Sequence, residues 1–371
     1  MPRESRSKKE PELWKDYITR NSIDALARRV RRAWRRFDVE AFVSTVYDDA
    51  FAGLELKDRI TRIADGLKRF LPKDYGRAVK VLVAVGPEVR GFENWALTTF
   101  IERHGLEDFE TSVEAMRVLT RYGSAEFAIR PYMLRYLDRM MPILHQWTQD
   151  DNEHVRRLAA EGTRPRGVWM PHIPAFREDP RPVIDLLEKL NADESLYVRK
   201  AVANNLNDIS KDHPDIAIST ARRWHRTGRV HTQWIVKHGC RTLIKQGHPE
   251  VFAIFGFTDR PKVTAADFRP SRKTAAVGET LGLTCRIESA GKTKQKLAID
   301  FTVHYVKKNG KTSPKVFKWA EKTIGAGESL ELSTEISLRE MTTRTHYPGR
   351  HPIELVVNGR TVAETSFTLR A

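Results

Sequence analysis

The sequence predicts a mainly α chain that ends in an all-β sandwich, and three observations carry that reading. Apolar residues recur at helical spacing up to about residue 260 and at every second position after it. A short block repeats about every 40 residues within the helical part. The chain has 371 residues, more than one ordinary core holds, which points to two or three domains.

Residues 1–20 read as a flexible basic arm. The polar stretch Met1 to Tyr17 has no apolar segment after its charges, so it does not read as a secretory signal. Residues 21–261 read as the helical domain. Ile60, Ile63, Leu67 and Leu71 form one helical stripe, and Val113, Met116, Leu119 and Thr120 form another. Breakers at Leu71-Pro72-Lys73-Asp74, Val85-Gly86-Pro87, Tyr122-Gly123-Ser124 and Asp212-His213-Pro214 separate such stripes, as in stacked helix pairs.

The block His154-Val155-Arg156-Arg157-Leu158-Ala159 returns as Tyr197-Val198-Arg199-Lys200-Ala201-Val202, 43 residues on. Trp234-Ile235-Val236-Lys237-His238-Gly239 follows after 37 more. Acidic caps precede the first two, Asp150-Asp151-Asn152-Glu153 and Asp193-Glu194-Ser195. This is the period of HEAT-like repeats. The valine packs between repeats, the basic residue lies at the edge of the inner surface, and the stack makes a concave solenoid.

Residues 262–371 read as an immunoglobulin-like β-sandwich of about seven strands. Thr280–Ile287, Ala298–Val306 and Ser329–Ile336 alternate, with turn signals at Lys308-Asn309-Gly310-Lys311, Gly325-Ala326-Gly327 and Val357-Asn358-Gly359-Arg360. The inter-sheet cysteine pair of antibody domains is missing, so Cys285 reads as core.

The formal net charge is +16, which favours a polyanionic partner, nucleic acid first and an acidic membrane face second. The sandwich holds 19 Lys and Arg against 11 Asp and Glu, a net +8 that equals the excess on the preceding 261 residues. An accessory DNA clamp is the expectation, with Lys292, Lys294, Lys296 and the hairpin cations Lys307, Lys308 and Lys311 as candidates; mere packing and a protein-interaction module are the alternatives. The stretch Arg28–Arg36 is a basic helix face, either meeting phosphates or merely solvated. No run of eighteen apolar residues occurs, which argues against a membrane span. Two cysteines, in different predicted domains, build neither a disulfide framework nor a four-cysteine zinc site, and a cytoplasmic location is expected.

Phosphate-cradling, dinucleotide, Gly-x-Ser-x-Gly and His-Glu-x-x-His motifs are absent, which disfavours phosphoryl transfer, dinucleotide and metalloprotease chemistry. What remains is carboxylates among arginines. Ser124 is placed to cap a helix whose first turn holds Glu126. Glu161 stands one residue before Gly162 at a helix C-terminus, where an anion is disfavoured, so it needs a basic partner, and Arg157 is four residues back. Asn204 and Asp208 share a helix face in a run of Asn and Asp that costs helix propensity. Each has a structural reading too: a dipole residue, a partner for Arg157, a tie to the next loop. Trp169 either plugs a gap between repeats or faces a ligand.

The segments Leu54–Ile60, Ser124–Pro131, Arg156–Arg166 and Val202–Pro214 resemble those of the HEAT-like-repeat DNA alkylation-repair glycosylases, in the AlkC branch whose members can carry a C-terminal immunoglobulin-like domain. The resemblance implies hydrolysis of the N-glycosidic bond of cationic alkylated bases (3-methylcytosine, 1-methyladenine and 3-methyladenine) during base excision repair. It places Asp208, Glu161 and Glu126 at the lesion with Trp169 beside them. Gly167-Val168 stands where the family pattern has Leu-Pro. Candidate DNA contacts are Arg130, Arg156, Arg157, Arg164, Arg166, Arg199, Lys200 and Lys211. A monomer acting on double-stranded DNA, with neither metal nor cofactor, is the expectation. The alternatives are a non-catalytic repeat protein recognising damaged or branched DNA and a protein–protein scaffold, which the charge argues against.

Overall fold

The computed structural model describes residues 13–341 and 344–370. The described residues pack as two compact units: those up to Asp212 with Gly228–Gly239, and His213–Thr227 with those from Cys240 on.

The first unit is helical. Polar N-caps start many of its helices, each accepting from a backbone N–H of the first turn that would otherwise lack a partner. Thr19 caps α1 (Arg20–Ala33), Asp38 caps α2 (Val39–Val46), Asp74 caps α4 (Tyr75–Val85) and Asp108 caps α6 (Phe109–Leu119). Between them lie α3 (Leu56–Phe70) and α5 (Glu93–His104). The series continues through α7 (Ile129–Arg135), α8 (Leu137–Trp147), α9 (Glu153–Gly162, capped by Asn152), α10 (Pro174–Glu178), α11 (Arg181–Glu188) and α12 (Leu196–Asp212). After α13 (Pro214–His225), which belongs to the second unit, α14 (Val230–Gly239) completes the first. Ile60, Ile63 and Leu67 are buried on α3, and Val113, Met116 and Leu119 on α6, as their spacing predicts. The repeated block falls on α9, α12 and α14, where Val155, Val198 and Ile235 are fully buried, and α12 packs against both of the others.

Residues 1–12 of the expected arm lie outside the described residues. Its remainder is structured. Trp14–Tyr17 form a 3-10 turn, Ile18 is buried and α1 begins at Arg20. The cause is Arg59, whose buried guanidinium donates to the carbonyls of Lys15 (2.6 Å), Ile18 (3.4 Å), Ala52 (2.9 Å) and Leu54 (3.0 Å).

Among its described residues, the second unit joins three helices, α13, α15 (Arg241–Lys245) and α16 (Pro249–Ile254), to eight strands. The strands are β1 (Val263–Pro270), β2 (Thr274–Ala276), β3 (Thr280–Ser289), β4 (Gln295–Val306), β5 (Thr312–Ile324), β6 (Ser329–Ser337), β7 (Gly349–Val357) and β8 (Arg360–Arg370). They form a three-stranded sheet, β1-β3-β6, and a five-stranded sheet, β2-β8-β7-β4-β5. The eighth strand, against about seven expected, is three-residue β2, too short to alternate legibly; it runs parallel to β8. Leu281, Leu283, Ile287, Phe301, Val303, Ile353 and Leu355 fill the space between the sheets, and Cys285 is core. Along β4 the residues from Leu297 to Val303 are all buried, because its second face packs too: Ala298 meets Phe252 and Phe257. At this joint Gly247 (φ +72) and Gly359 (φ +78) bring two backbones together. A Cβ on Gly247 would lie 2.7 Å from the Gly359 Cα.

Candidate active site

The three carboxylates lie on three neighbouring pieces of the first unit and are tied by cations into one chain of alternating charge. Glu126 is not in a first helical turn, as expected from Ser124. The turn Ser124–Ala128 precedes α7, because the Ser124 hydroxyl accepts from the Glu126 N–H (3.3 Å) and donates to its carboxylate (3.0 Å). Arg157 of α9 reaches Glu126 Oε2 at 2.5 Å and Glu161 Oε2 at 3.6 Å. Arg164 takes Glu161 Oε1 at 2.6 Å on one nitrogen and Asp208 Oδ2 at 2.8 Å on another. Lys211 closes the series on Asp208 Oδ1 at 3.0 Å. The order is Glu126, Arg157, Glu161, Arg164, Asp208, Lys211.

The run of polar residues on α12 is explained by burial. Asp208 is 1% exposed and Asn205 fully buried, and Asn205 donates to the Ala160 carbonyl (2.9 Å) and the Thr163 hydroxyl (3.0 Å) at the end of α9. That link sets α9 against α12 and so Glu161 near Asp208. Burial works against the charged forms of Arg157 and Arg164. The facing carboxylates more than offset it, and both guanidinium pKa values lie above the ordinary arginine value. A buried carboxylate held between such cations does not reorganise when a neighbouring group becomes charged.

Arg130 was expected to meet DNA; the structure places it elsewhere. It is fully buried, and its guanidinium donates to the carbonyls of Gly162 and Arg164 (2.9 Å each) and Pro171 (3.0 Å from Nε, with a second contact from Nη2). Burial, reinforced by repulsion from Arg164, lowers its pKa to about 10, so it stays charged at neutral pH. It pins both ends of the 163–171 loop. On that loop Trp169 is 59% exposed, so it plugs no gap between repeats. Its φ of +61 is rare for a bulky side chain and persists only where the surroundings impose it. The surroundings include Lys57, whose ammonium donates to the Trp169 carbonyl and lies 4.6 Å from the Phe127 ring centroid.

Most other expected DNA contacts are already engaged within the protein. Arg156 pairs with Asp193, Arg166 with Asp212, and Arg199 donates to the Asp193 and Glu194 carbonyls. The Arg166 hydrogen bond, opposed by burial and helped by Arg177, holds the Asp212 carboxyl well below the usual range. Lys200 is exposed, and Lys211 is exposed beyond its bond to Asp208. On the basic face of α1, Arg28 pairs with Asp24, Arg32 with Glu88, and Arg31 donates to the Phe37 carbonyl. In the second unit, Lys307, Lys308 and Lys311 are exposed on the β4–β5 hairpin and Lys292 and Lys294 are exposed between β3 and β4, while Lys296 donates to the Phe255 carbonyl. Among the described residues no group of three or more His, Cys, Asp or Glu is placed to hold a metal ion, and no helix is long and apolar enough to cross a membrane. Lys57 and Asn205 were not singled out from sequence; each acts across at least 42 residues of chain, which spacing does not reveal.

Residues 119–232, which include Glu126, Glu161, Trp169 and Asp208, match the family described as DNA alkylation repair enzyme. Residues 264–371 match the C-terminal Ig-like domain of YhaZ, a protein described as uncharacterised. YhaZ of Bacillus subtilis (strain 168) is 38% identical over 345 residues, which are 93% of this chain and 96% of that protein. The structure of Pseudomonas fluorescens alkylpurine DNA glycosylase AlkC bound to DNA containing an abasic site analog superposes with a TM-score of 0.94 at 36% identity, over 97% of this chain and 100% of that one. The chain therefore belongs to the DNA alkylation repair enzyme family, in the AlkC-like branch that carries the YhaZ C-terminal Ig-like domain.

Proposed function

We propose that the protein is a DNA glycosylase that hydrolyses the N-glycosidic bond of cationic N-alkylated bases, 3-methylcytosine, 1-methyladenine and 3-methyladenine, in double-stranded DNA. The observation that carries this reading is the alternating series of three carboxylates and three cations, in which Asp208, 1% exposed, is paired with both Arg164 and Lys211. The likeness to a glycosylase bound to abasic DNA supports it.

The chemistry suits the arrangement. A cationic base needs no general acid. When the C1′–N bond breaks, its electron pair goes to the ring nitrogen and the base leaves neutral. Positive charge then develops on the sugar, and a fixed carboxylate stabilises that charge without reorganising. Water adds its oxygen to C1′ and passes a proton to the carboxylate that positions it. Asp208 takes this role, Glu161 and Glu126 assist, and Trp169 offers its indole to the cationic ring. Lys200, Lys211 and the hairpin lysines 307, 308 and 311 face the phosphates.

Asp208→Asn tests the assignment in a gel assay on duplex DNA containing 3-methylcytosine. Excision is expected to fall at least 100-fold with DNA affinity nearly unchanged, on the order of the effect of removing one electrostatic stabiliser at a reacting centre. Wild-type excision by the variant removes Asp208 from the mechanism. If the wild-type chain binds damaged DNA and excises nothing, the protein is a non-catalytic recogniser instead.

A further inference from the structure

Five of the ten large apolar side chains exposed among the described residues, Leu13, Trp14, Tyr17, Val168 and Trp169, fall on two short segments joined by ring contacts. Scattered exposed apolar residues need no explanation, but a contiguous group marks a binding surface. Here the rings are contiguous. Trp14 lies 6.1 Å from Phe92 and meets Trp169 edge to face at 6.5 Å, and Tyr17 lies 6.4 Å from Phe92. The row continues inward through Trp95 at 5.5 Å to Phe127 at 5.4 Å, next in sequence to Glu126. Trp14 and Tyr17 are more than half exposed.

The segments that carry these rings are also tied by long-range hydrogen bonds. Arg59 buries a guanidinium to hold the turn that carries Trp14 and Tyr17, and Lys57 holds Trp169 in its left-handed backbone conformation. Fixing aromatic faces in advance lowers the ordering cost of whatever stacks on them. An exposed cation borders it: the Lys57 ammonium lies over Phe127 and donates to the Trp169 carbonyl. Aromatic faces bordered by cations are how proteins hold unpaired bases together with their phosphates.

We propose that Trp14, Tyr17 and Phe92 form a stacking ledge for an unpaired nucleobase, the one left opposite the excised base, while Trp169, at the ledge's edge, stays with the lesion side. The proposal rests on the glycosylase reading, since that reaction itself leaves one base of the duplex without a partner.

The test uses the full-length protein and a duplex with 2-aminopurine opposite a tetrahydrofuran abasic analogue, beside a fully paired duplex of the same sequence. Binding of the wild-type chain is expected to quench the 2-aminopurine by stacking. Trp14→Ala should lose most of the quenching and bind the abasic duplex about tenfold more weakly, the effect of removing one base–aromatic stack. Its affinity for the paired duplex should not change, Trp14→Phe should retain most of the quenching, and Tyr17→Ala should fall between. Equal quenching by wild type and Trp14→Ala overturns the proposal, as does an equal loss of affinity for both duplexes. A wild-type dimer in sedimentation that Trp14→Ala dissociates also overturns it, assigning the ledge to a second copy of the chain. No excision is needed to prepare the abasic duplex. Failure of the glycosylase reading appears separately, as intact 3-methylcytosine DNA after incubation with the wild-type chain.

Discussion

Arg130 and Arg164 are both arginines that composition counts toward a DNA-binding surface, and both are buried. Arg130 donates only to backbone carbonyls, while Arg164 bridges two carboxylates. The difference matters for charge. Arg164 is compensated by partners, whereas Arg130 is stabilised by dipoles and loses part of its affinity for a proton. Asp300 on β4 is the anionic counterpart in the second unit. Burial pushes its carboxyl up to about 6, with Lys318 opposing, Glu321 adding and Lys245 opposing. A raised carboxyl binds more protons in the folded chain than in the unfolded one between pH 4 and 6. Its contribution to stability is therefore greatest below that window and falls as pH rises through it. Asp300→Asn removes the penalty. Relative to wild type, it should gain about 2 kcal/mol at pH 8 over its value at pH 4.5, an order-of-magnitude figure from a shift of about two pKa units. Denaturant melts at the two pH values check this, and a pH-independent difference removes Asp300 from the pH response.

At the scale of elements, stacked helices are held by side-chain to carbonyl bonds as well as by apolar packing. Asn205 links α12 to α9, and Arg59 links α3 to the Trp14–Tyr17 turn. The joint between helix and sandwich in the second unit uses glycine instead. Gly247, after α15, and Gly359, in the β7–β8 turn, approach so closely that no Cβ fits, and backbone cannot move aside as a flexible side chain can. Both also have positive φ, which suits glycine. Gly247→Ala should destabilise the protein by about 2 kcal/mol or more through overpacking and backbone strain together. A guanidinium melt that matches wild type would show that the two backbones separate readily. The sequence marks Gly359 as a turn residue in Val357-Asn358-Gly359-Arg360. Nothing in the sequence says that its turn touches another glycine 112 residues away.

At the scale of the molecule, charge is the clearest signal in the sequence and needs the structure to be read correctly. The net excess is real, yet many of the cations singled out in the helical part are paired or buried. The exposed remainder includes Lys200 and the sandwich hairpin. Cutting the chain at residue 262 would uncover Phe252 and Phe257, so substitution is the cleaner probe of the hairpin. Changing Lys307, Lys308 and Lys311 together to Ala should weaken DNA binding at low salt. The slope of log K against log salt should fall by up to about 3, near one for each phosphate that is no longer neutralised. An unchanged slope leaves the hairpin without a DNA role.

The sequence by itself determined the order of helices and strands, the repeat, the core stripes and the candidate carboxylates. Local spacing carries these, because helices bury every third or fourth residue and strands every second. Glu161 and Asp208 stood out because each sat in a place that local rules disfavour without a partner, and Glu126 because the sequence predicts it in the first turn of a helix capped by Ser124, where an anion is favoured. Only the tertiary structure decided which cation answers which carboxylate, that Arg130 is a staple and not a phosphate ligand, and that residues 14–20 are held in place. It also decided that Trp169 stands exposed in a conformation Lys57 helps to hold. Those decisions are long-range. Arg164 meets Asp208 44 residues on, and Lys57 meets Trp169 112 residues on. Contacts across such separations depend on how the helices stack, and no local pattern of residues encodes them.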